Sequence, residues 1–132
     1  MSTHASSTFE VQGWDEKTYN EVDGRLKLTR STVTFAYHGD LEGAGAMEYL
    51  MMYRDDASAT VIGLERITGK LGGKEGTFVL AHHGGYADGT ASGQASVVEG
   101  SGTGGLEGLR GQGTTMAKQD GTTAFTLDYD FA

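Results

Sequence analysis

The chain has 132 residues, 22 of them glycine, with no cysteine, no proline and a formal net charge of −8. A single domain over residues 1–132 is expected, since a chain this long buries roughly two thirds of the surface its unfolded form exposes. Absent cysteine excludes disulfides and thiolate metal sites, and an acidic chain without a run of Lys or Arg is not expected to bind nucleic acid.

The start, Met1-Ser-Thr-His-Ala-Ser-Ser-Thr8, has neither a basic head nor an apolar run, so no secretory signal is expected. No stretch approaches the ~20 apolar residues of a membrane helix. The expectation is a cytoplasmic protein without a membrane partner; the missing cysteines fit a reducing compartment.

Glycines alternate with runs of Val, Ile, Thr, Phe and Tyr, the texture of an all-β domain. Period-two patterning predicts about eight strands: Thr8–Trp14, Leu26–Tyr37, Ala46–Arg54, Ala59–Thr68, Thr77–His83, Gly93–Val98, Thr114–Lys118 and Ala124–Phe131. Asp23-Gly24 and Asp120-Gly121 are turn dipeptides, and the short connections favour antiparallel neighbours.

In the first strand Trp14 follows Gly13, where a bulge sends it to either face. Outside, it would mark a subunit interface. In the second, Val33, Phe35 and Tyr37 share a face. In the third, a register unbroken from Gly39, Leu41 and Gly43 adds Met47, Tyr49, Met51 and Tyr53. In the fourth, Val61-Ile-Gly-Leu-Glu-Arg66 is apolar on both faces, so Glu65 or Arg66 turns toward a covered environment. The outward residues there, Val61 and Ile67 or alternatively Ile62 and Leu64, permit a homo-oligomer.

His82 and His83 in the fifth strand face opposite ways and cannot ligate one ion without a kink, so no metal site is expected. His82 shares its face with Phe78 and Leu80, which favours it as the interior histidine. Parity continued from Gly69 and Leu71 favours His83, and a bulge near Gly73–Gly76 would reconcile the two. The last strand alternates cleanly, with Phe125, Leu127, Tyr129 and Phe131 on the dry side. No helix offers to cover these faces, which leaves a barrel or a sandwich.

The motif G-x-L-x-G occurs at Gly39-Asp-Leu-Glu-Gly43, Gly69-Lys-Leu-Gly-Gly73 and Gly104-Gly-Leu-Glu-Gly108. In extended chain it places Gly, Leu and Gly on one face, suiting a strongly coiled strand or a barrel corner. Gly100–Gly105 also fits the loose phosphate-loop pattern G-x-G-x-x-G, but no helix is predicted after it to meet an anion.

These residues also carry a resemblance. Ser101-Gly-Thr-Gly-Gly-Leu-Glu-Gly-Leu-Arg-Gly111, Tyr37-His-Gly-Asp-Leu-Glu42, Leu64-Glu-Arg-Ile-Thr-Gly69 and Gly76-Thr-Phe-Val-Leu-Ala-His-His-Gly84 resemble a bacterial family of unknown function, the DUF family numbered thirty-two twenty-four. The likeness runs from about Phe35 to the C-terminus; the first thirty residues match less clearly. After the Asp-Gly turn, where the family tends to have His and an aromatic residue, this chain has Thr123 and Phe125. The resemblance implies a single eight-stranded antiparallel barrel similar to allene oxide cyclase, in a superfamily that includes cyclases of apolar substrates and the dirigent proteins. It implies no activity.

Eight strands leave an interior either filled by side chains or just able to hold one small ligand. The expected ligand-binding lining is Phe35, Tyr37, Tyr49, Met51, Tyr53 and Tyr129. The candidate proton-transfer residues are His82, Glu65 and Glu48, because a carboxyl or imidazole among apolar neighbours is the natural acid or base. The alternatives for Glu65 and His82 are structural, as a register-fixing ion pair and a core histidine. Three functions follow: a barrel binding an apolar small molecule, a cofactor-independent cyclase or isomerase of an apolar metabolite, and a structural oligomer with a filled core. No cofactor is expected.

Overall fold

Antiparallel pairing runs around the molecule and meets itself. A computed structural model describes residues 2–22, 26–54 and 57–132. The strands are β1 (Thr3–Val22), β2 (Leu26–Gly39), β3 (Leu41–Tyr53), β4 (Ala59–Leu71), β5 (Lys74–Ala87), β6 (Thr90–Val97), β7 (Thr103–Gly104), β8 (Leu109–Lys118) and β9 (Thr123–Phe131). The order β4-β3-β2-β1-β9-β8-β6-β5 closes through the pairing of β4 with β5, giving an eight-stranded antiparallel barrel, with β7 added outside on β5. No helix occurs among the described residues, and so none long and apolar enough to cross a membrane.

All eight expected strands are present, most of them longer than expected. The first is the extreme case, reaching Val22. Polar residues such as Asp15, Lys17 and Asn20 hide its alternation. The Asp23-Gly24 turn lies outside the described residues. At the other Asp-Gly turn, the Asp120 carboxylate accepts the Thr122 amide at 2.9 Å and Gly121 has a φ of +93°.

The parity conflict in the fifth strand is resolved by a turn and not by a bulge. Leu71 pairs with Lys74 across Gly72 and Gly73, whose φ values are +58° and +85°. Positive φ at both central residues defines the two-residue hairpin turn that matches strand twist, and glycine reaches it without steric cost. Odd positions face inward along β4 and even positions along β5, so His82 enters the barrel and His83 is exposed.

A bulge does act in β1. Pairing steps from Val11↔Phe35 to Gly13↔Thr34, leaving Gln12 extra. Phe9 and Val11 face inward before it, and Trp14 and Glu16 after it. Trp14 therefore turns toward the barrel mouth, edge-on to Tyr49 at 5.6 Å, and is not on the outer wall. On β4, Ile67 and Val61 point inward, while Ile62 and Leu64 are the outward residues, each 57% exposed.

The interior is packed in its lower half. Leu41, Leu71, Leu106 and Leu109 join Ile67, Phe78, Leu80, Phe125 and Leu127 in one core, all essentially inaccessible to solvent. Each such side chain contributes about 1.5–3 kcal/mol by leaving water. The three G-x-L-x-G leucines, Leu41, Leu71 and Leu106, all belong to it. Gly43, Gly69, Gly76 and Gly104 lie side by side across β3, β4, β5 and β7.

The third copy of the motif is not extended, contrary to expectation. Gly104 and Gly108 have φ values of +62° and +82°, and Leu106, Glu107 and Leu109 each donate an amide to the carbonyl three residues back. This run of turns drops Leu106 into the barrel end as a plug. Leu106→Ala should cost about 2–5 kcal/mol of unfolding free energy in urea titration, and Leu64→Ala on the outer wall within about 0.5.

Candidate functional site

The upper half of the barrel is not filled. Large inward residues cluster on β2 and β3, namely Phe35, Tyr37, Met47, Tyr49 and Met51, while β6 and β8 offer Ala91, Gly93, Ala95, Gly113 and Thr115. A cavity of about 230 Å³ remains between these walls, bounded also by Phe9, Val61, Glu65, His82 and Gly84. Its mouth lies where β1 has passed its last ladder partner on β9, Ser7↔Phe125. Val11, Trp14 and Tyr86 stand there, 52%, 50% and 39% exposed. Thr123, the departure from the resembled pattern, ties off that ladder by hydrogen-bonding both the amide and the carbonyl of Phe9.

One carboxylate lies on the apolar wall. Glu65 is wholly buried; its Oε1 is 2.7 Å from His82 Nε2, and its Oε2 accepts the Tyr37 hydroxyl at 2.6 Å. Both oxygens are thus engaged, as burial of such a group demands. Burial, the negative charge of Glu65 and the hydrogen bond to it all push the Tyr37 phenol far above its ordinary range, so it stays a donor. Gly45 makes the arrangement possible, because a Cβ there would collide with Glu65 Oε2.

A second polar cluster sits at the rim. Glu16 accepts hydrogen bonds from the Tyr53 hydroxyl and Thr29 Oγ1, both at 2.7 Å, and from Trp14 Nε1 at 3.2 Å. Partial burial alone would raise its pKa, but these bonds and nearby Lys27 outweigh that and hold it below the usual carboxylate range. Burial, then the bond to Glu16, pushes the Tyr53 phenol up. Glu16 was not expected as a site residue. Its signal is Trp14-Asp-Glu16 behind a glycine, which becomes inward-facing only once the extra residue at Gln12 is known.

Of the expected residues, Glu65 and His82 meet in the cavity wall with Phe35, Tyr37, Tyr49 and Met51. Tyr53 belongs to the rim cluster. Glu48 does not join them: it lies on the outer wall at even parity, pairing with Arg30 at 2.9 Å with both side chains more than half exposed. Tyr129 faces inward but in the packed lower half, edge-on to Phe131 at 6.1 Å and away from the cavity. Both displacements follow from register, which fixes facing and depth together. His38 is on the outer surface near Glu10 and Glu42. Among the described residues no three of His, Asp and Glu converge as metal ligands.

Tyr37→Phe should leave Glu65 Oε2 unpaired and cost about 1.5–3 kcal/mol in chemical unfolding. Glu48→Gln should change stability by less than about 0.5 kcal/mol, as for exposed ion pairs.

Comparison with known proteins agrees with this fold. No curated protein matches the chain. A solved structure of a protein of unknown function from Shewanella oneidensis MR-1, of the DUF3224 family, superposes with a TM-score of 0.82 at 26% identity, covering 100% of this chain and 99% of that one. The sequence profile of that family, described as proteins of unknown function, matches residues 5–129, so the likeness takes in β1 as well as the part from Phe35 onward. The closed barrel, the match along nearly its whole length and the solved relative agree that this chain belongs to the DUF3224 family.

Proposed function

We propose that the barrel binds a small, mostly apolar molecule in its upper cavity. The observation that carries this reading is the unfilled volume of about 230 Å³ above a well-packed core. It exceeds the ~150 Å³ apolar cavity that accepts benzene. Packed interiors rarely leave such a space, and a wall of Phe, Met, Tyr and Val with a few polar groups is the usual make-up of a ligand pocket. The rim aromatics Trp14 and Tyr86 give an apolar molecule a surface to meet before it enters.

Indole, a neutral probe of suitable size, should show saturation transfer from the wild-type protein in ligand-observed NMR. Ala91→Phe, which fills the narrow wall, should abolish that transfer while keeping the β-sheet circular dichroism. Absence of transfer to the wild type would reject the reading.

A separate observation supports self-association. Leu50, Ile62 and Leu64, which are 50–57% exposed, form an apolar patch on the outer wall of β3 and β4. Light scattering should report more than one copy per particle for the wild type and a monomer for Leu64→Glu. A monomeric wild type would dismiss this role for the patch.

A further inference from the structure

Two polar atoms in the cavity wall stand apart from the rest. Among the described residues, His82 Nδ1 and the Tyr49 hydroxyl make no hydrogen bond, although both side chains line the cavity. Among the described residues no solvent-inaccessible side-chain N or O lacks a partner, so both atoms are accessible to solvent. Tyr49 and His82 lie opposite each other across Gly63, the three residues being directly in register on β3, β4 and β5. With neighbouring strands about 4.8 Å apart, their backbones are roughly 10 Å apart, and between them is a residue without a side chain. Tyr49 closes over Gly63, where a Cβ would collide with that of Tyr49, so a guest meets both groups from the cavity side.

Their chemistry is complementary. With the Nε2–H of His82 donating to Glu65 Oε1, Nδ1 is left with a free lone pair. Burial, aided by the negative charges of Glu16 and Glu65, pushes the Tyr49 phenol far above its ordinary range and keeps it a donor. A base and a donor side by side on one apolar cavity wall match a molecule with an acidic C–H near a carbonyl. The surrounding Phe, Met and Val exclude water that would otherwise level both groups.

We propose that His82 and Tyr49 are the catalytic residues of a cofactor-independent isomerase acting on small β,γ-unsaturated ketones, with Glu65 as the positioning residue for His82. This rests on the binding reading above and names its ligand class. Nδ1 removes a proton from the carbon between the carbonyl and the double bond. The C–H pair becomes a new C=C, and the carbonyl π pair moves to oxygen, where the Tyr49 O–H donates to it. The imidazolium, held against Glu65, returns the proton to the far carbon of the dienolate: the original C=C pair takes it, the new C=C pair moves into the bond between the two, and the oxygen pair re-forms the carbonyl. The product is the conjugated isomer, and every atom and electron is retained.

The test uses 3-cyclohexen-1-one and follows its conversion to 2-cyclohexen-1-one by NMR. Wild type should accelerate conversion over buffer, and His82→Gln, which can still donate to Glu65, should lower kcat at least ~100-fold. Tyr49→Phe keeps the ring and should lower kcat about 100-fold or more with KM changed only a few-fold. The wild-type ¹⁵N spectrum should place the His82 proton on Nε2; a proton on Nδ1 overturns the assignment. So does a ketone that shows saturation transfer yet is not isomerised, or conversion unaffected by both substitutions. If indole binds and the ketone does not, the isomerase falls while the binding site stands; if indole fails too, the binding reading falls with it. Should His82→Gln not fold, Tyr49→Phe and the wild-type spectrum still decide.

Discussion

Closing eight strands into a ring leaves each side chain two destinations, an enclosed volume of fixed size or the surroundings. Everything distinctive here follows from how that volume is shared. The lower half takes leucines and phenylalanines until no space is left. In the upper half β2 and β3 send in aromatic and methionine side chains, and β6 and β8 answer with residues too small to meet them. The cavity is the difference between the two walls.

The same scarcity of space governs the carboxylate. Glu65 has room only because the diagonal neighbour on β3, beside its partner Met47, is Gly45, and it is tolerated in an apolar wall only because Tyr37 and His82 occupy both its oxygens. A buried hydrogen-bonded pair contributes little net stability, while removing one partner is costly. Such a pair constrains geometry more than it strengthens the fold. Here the geometry it constrains is the imidazole ring that borders the cavity.

The strands were legible because alternation is strong wherever one face is dry. Phe125, Leu127, Tyr129 and Phe131 show this best, and β2 and β3 nearly as well. What periodicity cannot supply is the phase carried across a turn or a bulge. His82 against His83 depended on whether the chain spends two residues between Leu71 and Lys74, and Trp14 and Glu16 on the single extra residue Gln12. Depth was also hidden. Tyr129 has the right parity for the cavity but the wrong height, set by a cross-strand register that no local pattern records. Glu48 had neither; its apolar neighbours Met47 and Tyr49 face the other way.

The ladder between β1 and β9 has a further consequence. It ends at Ser7↔Phe125, while β1 continues to Val22 with β2 as its one strand neighbour among the described residues. Beyond Phe9, about two thirds of that strand therefore presents a free row of amides and carbonyls, a template for cross-β stacking between molecules. Proline, a common guard of such rows, is absent from the chain. Two register breaks, at Gln12 and Tyr19, interrupt the row, and Asp15, Lys17 and Glu21 set charges along it. The open rim is thereby guarded against zipping onto another copy of itself.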